Sequence, residues 1–330
     1  MMIVSRAPLR VSFFGGGTDY PEYFQRARGA VLGMAIDKYI YISALKLSSV
    51  LSYRYRVSYS RIEMVETRAG IQHPVVRAVL DHYHVQEPLD ISVMADLPAR
   101  SGLGSSSAFT VGLINLVAKL QETVITKLDL ARQAVFVERE LLAENVGVQD
   151  QYHSTFGGIN RFDFEAGRTR LTPVSMAGPC LSALTESLFL LFTGTTRFAS
   201  DTLNEQISKT KEGAVDRDLS HLLSLTDQAV EVLEGGDPQR MLLDFGTMLH
   251  EGWETKKRLS SKISSPQIDA LYSAARAAGA LGGKLCGAGS GGFLMVLVPP
   301  EKQAAFFSAL QNVAIIPVGL DTVGATILGA

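Results

Sequence analysis

The chain has 330 residues, 46% of them hydrophobic and 19% charged, a balance that excludes a disordered polymer and allows one large domain or two ordinary ones. Its 31 Lys plus Arg against 33 Asp plus Glu leave a net charge of −2, which excludes the basic excess of a non-specific nucleic-acid binder. Two cysteines, Cys180 and Cys286, the absence of a long apolar run anywhere, and a start at Met1–Arg6 without a small-residue cleavage site lead to the expectation of a cytoplasmic protein with reduced thiols, no leader and no membrane span.

In chain order, Ile3–Val11 and Tyr39–Leu45 have the β-branched and aromatic content of strands, Tyr53–Ser58 alternates basic and apolar residues, and Ile91–Ala95 is a further strand. Pro74–Tyr83 reads as a short helix with Pro in its first turn. A longer helix begins near Ser105 and presents Leu113, Leu116, Val117 and Leu120 on one face. The next covers 127–144 behind a capping box at Thr126–Asp129, with Leu130, Ala134, Val137 and Leu141 as its apolar stripe. The prolines and glycine of Thr172–Pro179 mark the best boundary, dividing the chain into 1–175 and 176–330. Beyond it, Leu188–Phe192 is a buried strand, and Ser200–Lys211, Asp216–Leu233, Pro238–Leu259 and Pro266–Ala278 have helical periodicity. Strands at Leu281–Leu285, Phe293–Val298 and Ala314–Val318, with a helix at Glu301–Leu310, complete a two-lobed α+β class.

Three glycine-rich turns carry the chemistry. The sharpest is Pro98-Ala99-Arg100-Ser101-Gly102-Leu103-Gly104-Ser105-Ser106-Ser107, placed between a strand and a helix. Glycines admit a close ligand, and a helix start offers unpaired N–H groups with partial positive charge, so phosphate is the natural guest. The serine hydroxyls can donate to phosphate or ligate Mg²⁺. A plain serine-capped turn would have the same letters, and the run lacks the Lys of a Walker A loop. Gly104-Ser105-Ser106-Ser107-Ala108 also comes near the nucleophile elbow of serine hydrolases, with Ser106, Asp150 and His221 or His250 in a suitable chain order.

The second turn, Gly15-Gly16-Gly17-Thr18-Asp19, ends in an acceptor that could bind sugar hydroxyls or merely stabilise the turn. The third, Gly282–Gly292, matches G-x-G-x-x-G by letter but precedes a strand, and reads as a close-packed loop between lobes. Glu138 on a helix and Asp150 in a turn form an acidic pair suited to metal ligation and proton handling, although a helical Glu is more commonly solvated. Lys256-Lys257-Arg258 reads first as a solvated helix face, and otherwise as a source of cations for an anionic substrate.

In this order the three turns resemble those of the GHMP kinase superfamily, the middle one through Gly102-Leu103-Gly104-Ser105-Ser106-Ser107-Ala108 after Pro98 and the last through Lys284-Leu285-Cys286-Gly287-Ala288-Gly289-Ser290-Gly291-Gly292. Within it the chain is most similar to the D-glycero-α-D-manno-heptose 7-phosphate kinases. That similarity rests on Arg6-Ala7-Pro8-Leu9-Arg10 leading into the first turn, Gln149-Asp150-Gln151-Tyr152 before Phe156-Gly157-Gly158, and Phe192-Thr193-Gly194-Thr195-Thr196-Arg197. Cys286 stands where Ser is usual and Ser290 where glycine is common.

The resemblance implies an N-terminal lobe of the ribosomal protein S5 domain 2-like type with a left-handed crossover, a ferredoxin-like C-terminal lobe, and ATP and Mg²⁺ as cofactors. It implies a sugar or sugar-phosphate substrate, no nucleic-acid or membrane partner, and a monomer or homodimer. By the same resemblance Asp150 would be the base or orienting carboxylate, and Arg10 would pair with it and stabilise developing charge. Pro98, Arg100, Ser101, Gly102, Leu103, Gly104, Ser105, Ser106 and Ser107 would hold the nucleotide, and Ser106 and Glu138 the metal. Gly16, Gly17, Thr18, Asp19, Asp150, Arg197, Gly287, Ala288, Gly289 and Ser290 would face the substrate. The implied activity is anomeric phosphorylation of heptose 7-phosphate; kinases for galactose, fucose or related sugars and the Ser106 hydrolase are the rivals.

Overall fold

The computed structural model describes residues 2–195 and 200–329, which fold around two sheets. The first grows on a long antiparallel pair, β1 (Met2–Phe14) and β2 (Gly29–Lys46). β2 begins ten residues before the segment with strand-like alternation, because Gly29–Ile36 is buried throughout and has no polar face to alternate with. Its length lets it pair twice on its other edge. β3 (Tyr55–Ser58) and β4 (Ile62–Val65) lie outside β5 (Leu89–Ala95), which pairs with residues 40–46 of β2, while β6 (Ile159–Glu165) pairs with residues 29–34 and carries β7 (Arg168–Pro173). The β3–β5 pair is parallel and its neighbours are antiparallel.

The second sheet contains β8 (Leu188–Phe192), β9 (Gly282–Leu285), β10 (Phe293–Leu297) and β11 (Ile315–Pro317) in the antiparallel order β11-β8-β10-β9, the ferredoxin-like arrangement expected of this lobe. The chain then crosses back. β12 (Thr326–Leu328) adds to β1, so the first sheet contains strands from both sides of residue 175.

Helix Ser105–Leu120 is buried along most of its length and packs on β1 and β2, which gives the phosphate-type turn ahead of it a rigid base. The lobes share their core: Phe13 and Phe14 meet the Phe245 ring edge-on at centroid distances of 5.2 and 5.3 Å. Ion pairs from Arg28 and Arg161 to Asp227, and from Arg26 to Asp216, fasten the rim of that interface. Both cysteines are buried and unpaired. Among the described residues no helix is long and apolar enough to cross a membrane.

Several elements differ from expectation. The helix starting at Lys127 is α-helical only to Phe136, and Val137–Leu141 is a π turn, so Leu141, taken as part of an apolar stripe, is exposed. Asp150 lies in the first turn of a helix, Gln149–Phe156, and not in a loop. Helix Gly178–Ser187 starts within the Thr172–Pro179 punctuation, with Pro179 in its first turn.

Candidate active site

The middle glycine turn takes its shape from three left-handed residues, Arg100 (φ 60), Gly102 (φ 80) and Gly104 (φ 74), the last serving as N-cap of Ser105–Leu120 without a side-chain cap. Alternation of hand turns successive N–H groups to one side, and the first N–H groups of the helix have no intrahelical acceptor; together they make a nest for an anion. Gly102 is required by packing as well as by φ, since a Cβ there would lie 2.4 Å from the Cys286 carbonyl oxygen. The third glycine loop therefore seats directly on the middle one, backbone against backbone, and Phe293 N–H donates to the Ser101 carbonyl at 3.1 Å.

β1 delivers the charge. Its register shifts between Pro8 and Arg10, and the Arg10 N–H donates to the Leu103 carbonyl at 3.0 Å. The Arg10 guanidinium then forms a bidentate pair with Asp150, Nε to Oδ1 and Nη2 to Oδ2 both at 2.8 Å, and its Nη1 donates to the Gly102 carbonyl at 2.7 Å. One buried arginine thus ties the base candidate, the glycine turn and the first strand together.

Asp19 approaches from the first turn. It accepts from Gly17 N–H and from Gln149 Nε2, each at 2.9 Å, and burial pushes its carboxyl pKa up against those bonds, with the Asp150 charge adding to the rise. A Cβ on Gly147 would lie 2.1 Å from Asp19 Oδ2, so the carboxylate and the Gly147 backbone share one space.

These groups line one cleft of about 960 Å³, open mouth included, which brings together Arg10, Gly16, Gly17, Asp19, Arg100, Gly102, Gly104, Ser105, Ser106, Asp150, Gly287 and Ala288. Other expected residues lie elsewhere. Thr18 is buried, with its hydroxyl donating to Gly15 and Ala30 carbonyls, so it braces the turn and does not face a substrate. Ser101 and Leu103 are buried beneath the loop, and Pro98 is exposed outside the cleft wall. Gly289 packs on Ile263, and Ser290, at φ 69, bonds Thr202 and the Lys262 carbonyl. Arg197 lies outside the described residues.

Ser107 faces inward and donates to Glu138 Oε2 at 2.9 Å; Gln151 Nε2 donates to the same oxygen. Glu138 is fully buried, contrary to the usual solvated helical Glu, and burial pushes its pKa up to about 7. Its Oε1 is buried without a partner among the described residues. An orphaned carboxylate oxygen beside a serine-rich turn is a donor set that fits a hard divalent cation such as Mg²⁺.

The run Lys256-Lys257-Arg258 divides between its two readings: Lys256 is buried and lines the cleft, whereas Lys257 pairs with Glu254 and Arg258 with Asp218. Sequence reasoning missed a second cavity of about 990 Å³, which shares Arg100, Ser105 and Ser106 with the first and is walled by Tyr59, His73, Val93, Met94 and Phe109. Its rings meet edge-on or tilted at 4.8–4.9 Å, and burial lowers the His73 pKa. Residues from five separated segments build it, so no local motif marks it.

The hydrolase constellation is not assembled. Asp150 pairs with Arg10, His221 with Glu251, and His250 with the Tyr272 hydroxyl, and neither histidine lines the cleft with Ser106.

Comparison with known proteins identifies the family. The family model described as GHMP kinases N terminal domain matches residues 71–158, and GHMP kinases C terminal matches residues 239–315. The chain is 31% identical to the D-glycero-alpha-D-manno-heptose 7-phosphate kinase of Campylobacter jejuni, over 94% of this chain and 93% of the relative. It is 25% identical to the galactokinase of Pyrococcus furiosus, over 93% of this chain and 92% of the relative. Its fold matches the crystal structure of a D-glycero-D-manno-heptose 1-phosphate kinase from Bacteroides thetaiotaomicron with a TM-score of 0.75 and 25% identity, covering 99% of both chains.

Proposed function

The chain belongs to the GHMP kinase superfamily and is a phosphotransferase, and we propose that it transfers the γ-phosphoryl group of ATP to the anomeric hydroxyl of D-glycero-D-manno-heptose 7-phosphate. The product is the 1,7-bisphosphate, an intermediate for nucleotide-activated heptose and surface polysaccharide. The observation that carries the reading is the bidentate Arg10–Asp150 pair, set where the glycine turn and the Asp19 turn meet, in a chain 31% identical to a heptose 7-phosphate kinase.

The geometry supports a division of labour. The aromatic cavity suits a nucleotide base, and its shared wall at Arg100, Ser105 and Ser106 leads the phosphates over the N–H nest toward the cleft. Asp19 and Gln149 orient the sugar hydroxyls. Asp150 accepts the proton of the attacking hydroxyl, and Arg10 offsets charge that builds up in transfer. Glu138, which accepts from Ser107, would hold Mg²⁺ together with the neighbouring Ser106, and the metal when bound would neutralise phosphate charge. Holding the hydroxyl in line with the γ-phosphate is worth up to about 7–11 kcal/mol of barrier, so positioning alone explains why so few charged groups are needed.

The test is ADP release from ATP and Mg²⁺ across heptose 7-phosphate, sedoheptulose 7-phosphate, mannose 6-phosphate, galactose, fucose and mannose. Turnover confined to heptose 7-phosphate is the expected result. Preferred turnover of galactose or fucose would retain the kinase and remove the heptose assignment.

A further inference from the structure

Lys256, in the last turn of helix Pro238–Leu259, and Lys284, in β9, stand on the C-terminal wall of the cleft and are only 7% and 6% exposed. Lys284 Nζ donates to the Phe13 carbonyl at 3.0 Å, and Lys256 Nζ donates to the carbonyls of Leu285 and Gly287. Neither forms an ion pair with a carboxylate among the described residues. An ammonium has three donors, so one N–H of Lys256 and two of Lys284 remain for a guest.

Buried charges are almost always paired, because an unpaired one costs several kcal/mol of solvation. Here two of like sign share a wall: burial, with the Arg10 charge adding to it, pushes both pKa values down, that of Lys256 to about 8, and Lys256 lowers that of Lys284 further. The carboxylates at this end are already engaged, Asp150 by Arg10 and Asp19 by Gly17 and Gln149. The nucleotide base does not account for the pair either, because neither lysine lines the aromatic cavity. A neutral sugar would leave both cations unmatched, whereas a phosphomonoester brings close to two negative charges and three acceptor oxygens.

We propose that Lys256 and Lys284 bind the phosphate that the acceptor already carries, and so select a phosphorylated sugar over its free form. The inference rests on the sugar-kinase reading but not on heptose: any phosphorylated sugar with a hydroxyl within reach of Asp150 meets the requirement.

The experiment compares kcat/KM for each sugar phosphate with that for the corresponding free sugar, in the unaltered protein and in Lys256→Met and Lys284→Met. ATP binding, followed with a fluorescent nucleotide, controls for folding. The unaltered protein should prefer the phosphorylated form, and either substitution should shrink that preference about 10- to 100-fold, the worth of a charge-assisted bond. Parallel losses on both forms, which leave the ratio unchanged, would assign the lysines to the transferred phosphoryl group and overturn the proposal. A second measurement needs no variant: inorganic phosphate should compete with the acceptor and not with ATP, and competition with ATP alone would overturn it. Preference for a different sugar phosphate would remove the heptose reading and leave this one standing. Preference for free sugars throughout would remove this one and leave the kinase.

Discussion

Replacing Asp150 by Asn tests the centre of the site, because the change keeps the shape and removes the charge. In the native protein both Asp150 oxygens accept from Arg10 at 2.8 Å, and the Arg10 side chain is 5% exposed. Asn retains one acceptor and turns an NH₂ group toward a guanidinium N–H, so one charge-assisted bond becomes a donor facing a donor. Arg10 is then left buried without a counter-charge, for which we expect a loss of about 3 kcal/mol in urea unfolding. Catalysis should fall further. A positioned base is worth about 10²–10⁴-fold, so kcat for ADP release should drop by that factor. Nucleotide affinity should stay within about threefold, since the nest and base cavity are untouched. A variant whose kcat is close to that of the native protein would refute Asp150 as the base. One with unchanged stability would refute the dependence of Arg10 on it.

Three further outcomes follow from the same geometry. Gly147→Ala places a Cβ where Asp19 Oδ2 now lies, 2.1 Å away, and should raise the acceptor KM about 10- to 100-fold in steady-state kinetics with ATP binding intact; an unchanged KM would take Asp19 out of substrate binding. Glu138→Gln should raise the Mg²⁺ concentration for half-maximal rate at least about tenfold, and an unaltered Mg²⁺ titration would show that the buried carboxylate holds no metal. His153 is buried with neither ring nitrogen partnered among the described residues, and burial, helped by the Arg10 charge, pushes its pKa down to about 3. A folded pKa below the unfolded value means stability is fully present above about pH 6.5 and is lost as pH falls toward 3, at about 1.4 kcal/mol per pH unit. His153→Leu should flatten that slope in denaturant melts between pH 6.5 and 5, and equal slopes would disprove the assignment.

What could be read without coordinates was local. The turn at Gly102–Ser107, the strand before it and the helix after it are visible because glycine, the serine run and helical periodicity are signals carried within a few residues. Glu138 was not legible as a buried group. Periodicity assumes 3.6 residues per turn, and the π turn at Val137–Leu141 alters the phase at that point. β6 and β7 were missed because Arg161, Asp163, Arg168 and Arg170 look like loop, while in the fold Asp163 pairs with Arg161 of its own strand and Arg170 of the next. Lys256, Lys257 and Arg258 are adjacent in the chain, yet a helix turns each about 100° from the last, so one enters the cleft and two meet carboxylates outside it.

The return of β12 to β1 has a consequence for how the molecule is made. Val4 pairs with Leu328 and Arg6 with Thr326, so the first sheet gains its last edge only when nearly the whole chain is available. Closing so long a loop is entropically costly and must come late. During synthesis the strand bearing Arg10 therefore emerges long before it acquires its full set of neighbours. The C-terminal lobe is held at both ends by the sheet it folds beside, and the two halves should melt as one cooperative unit, not in turn.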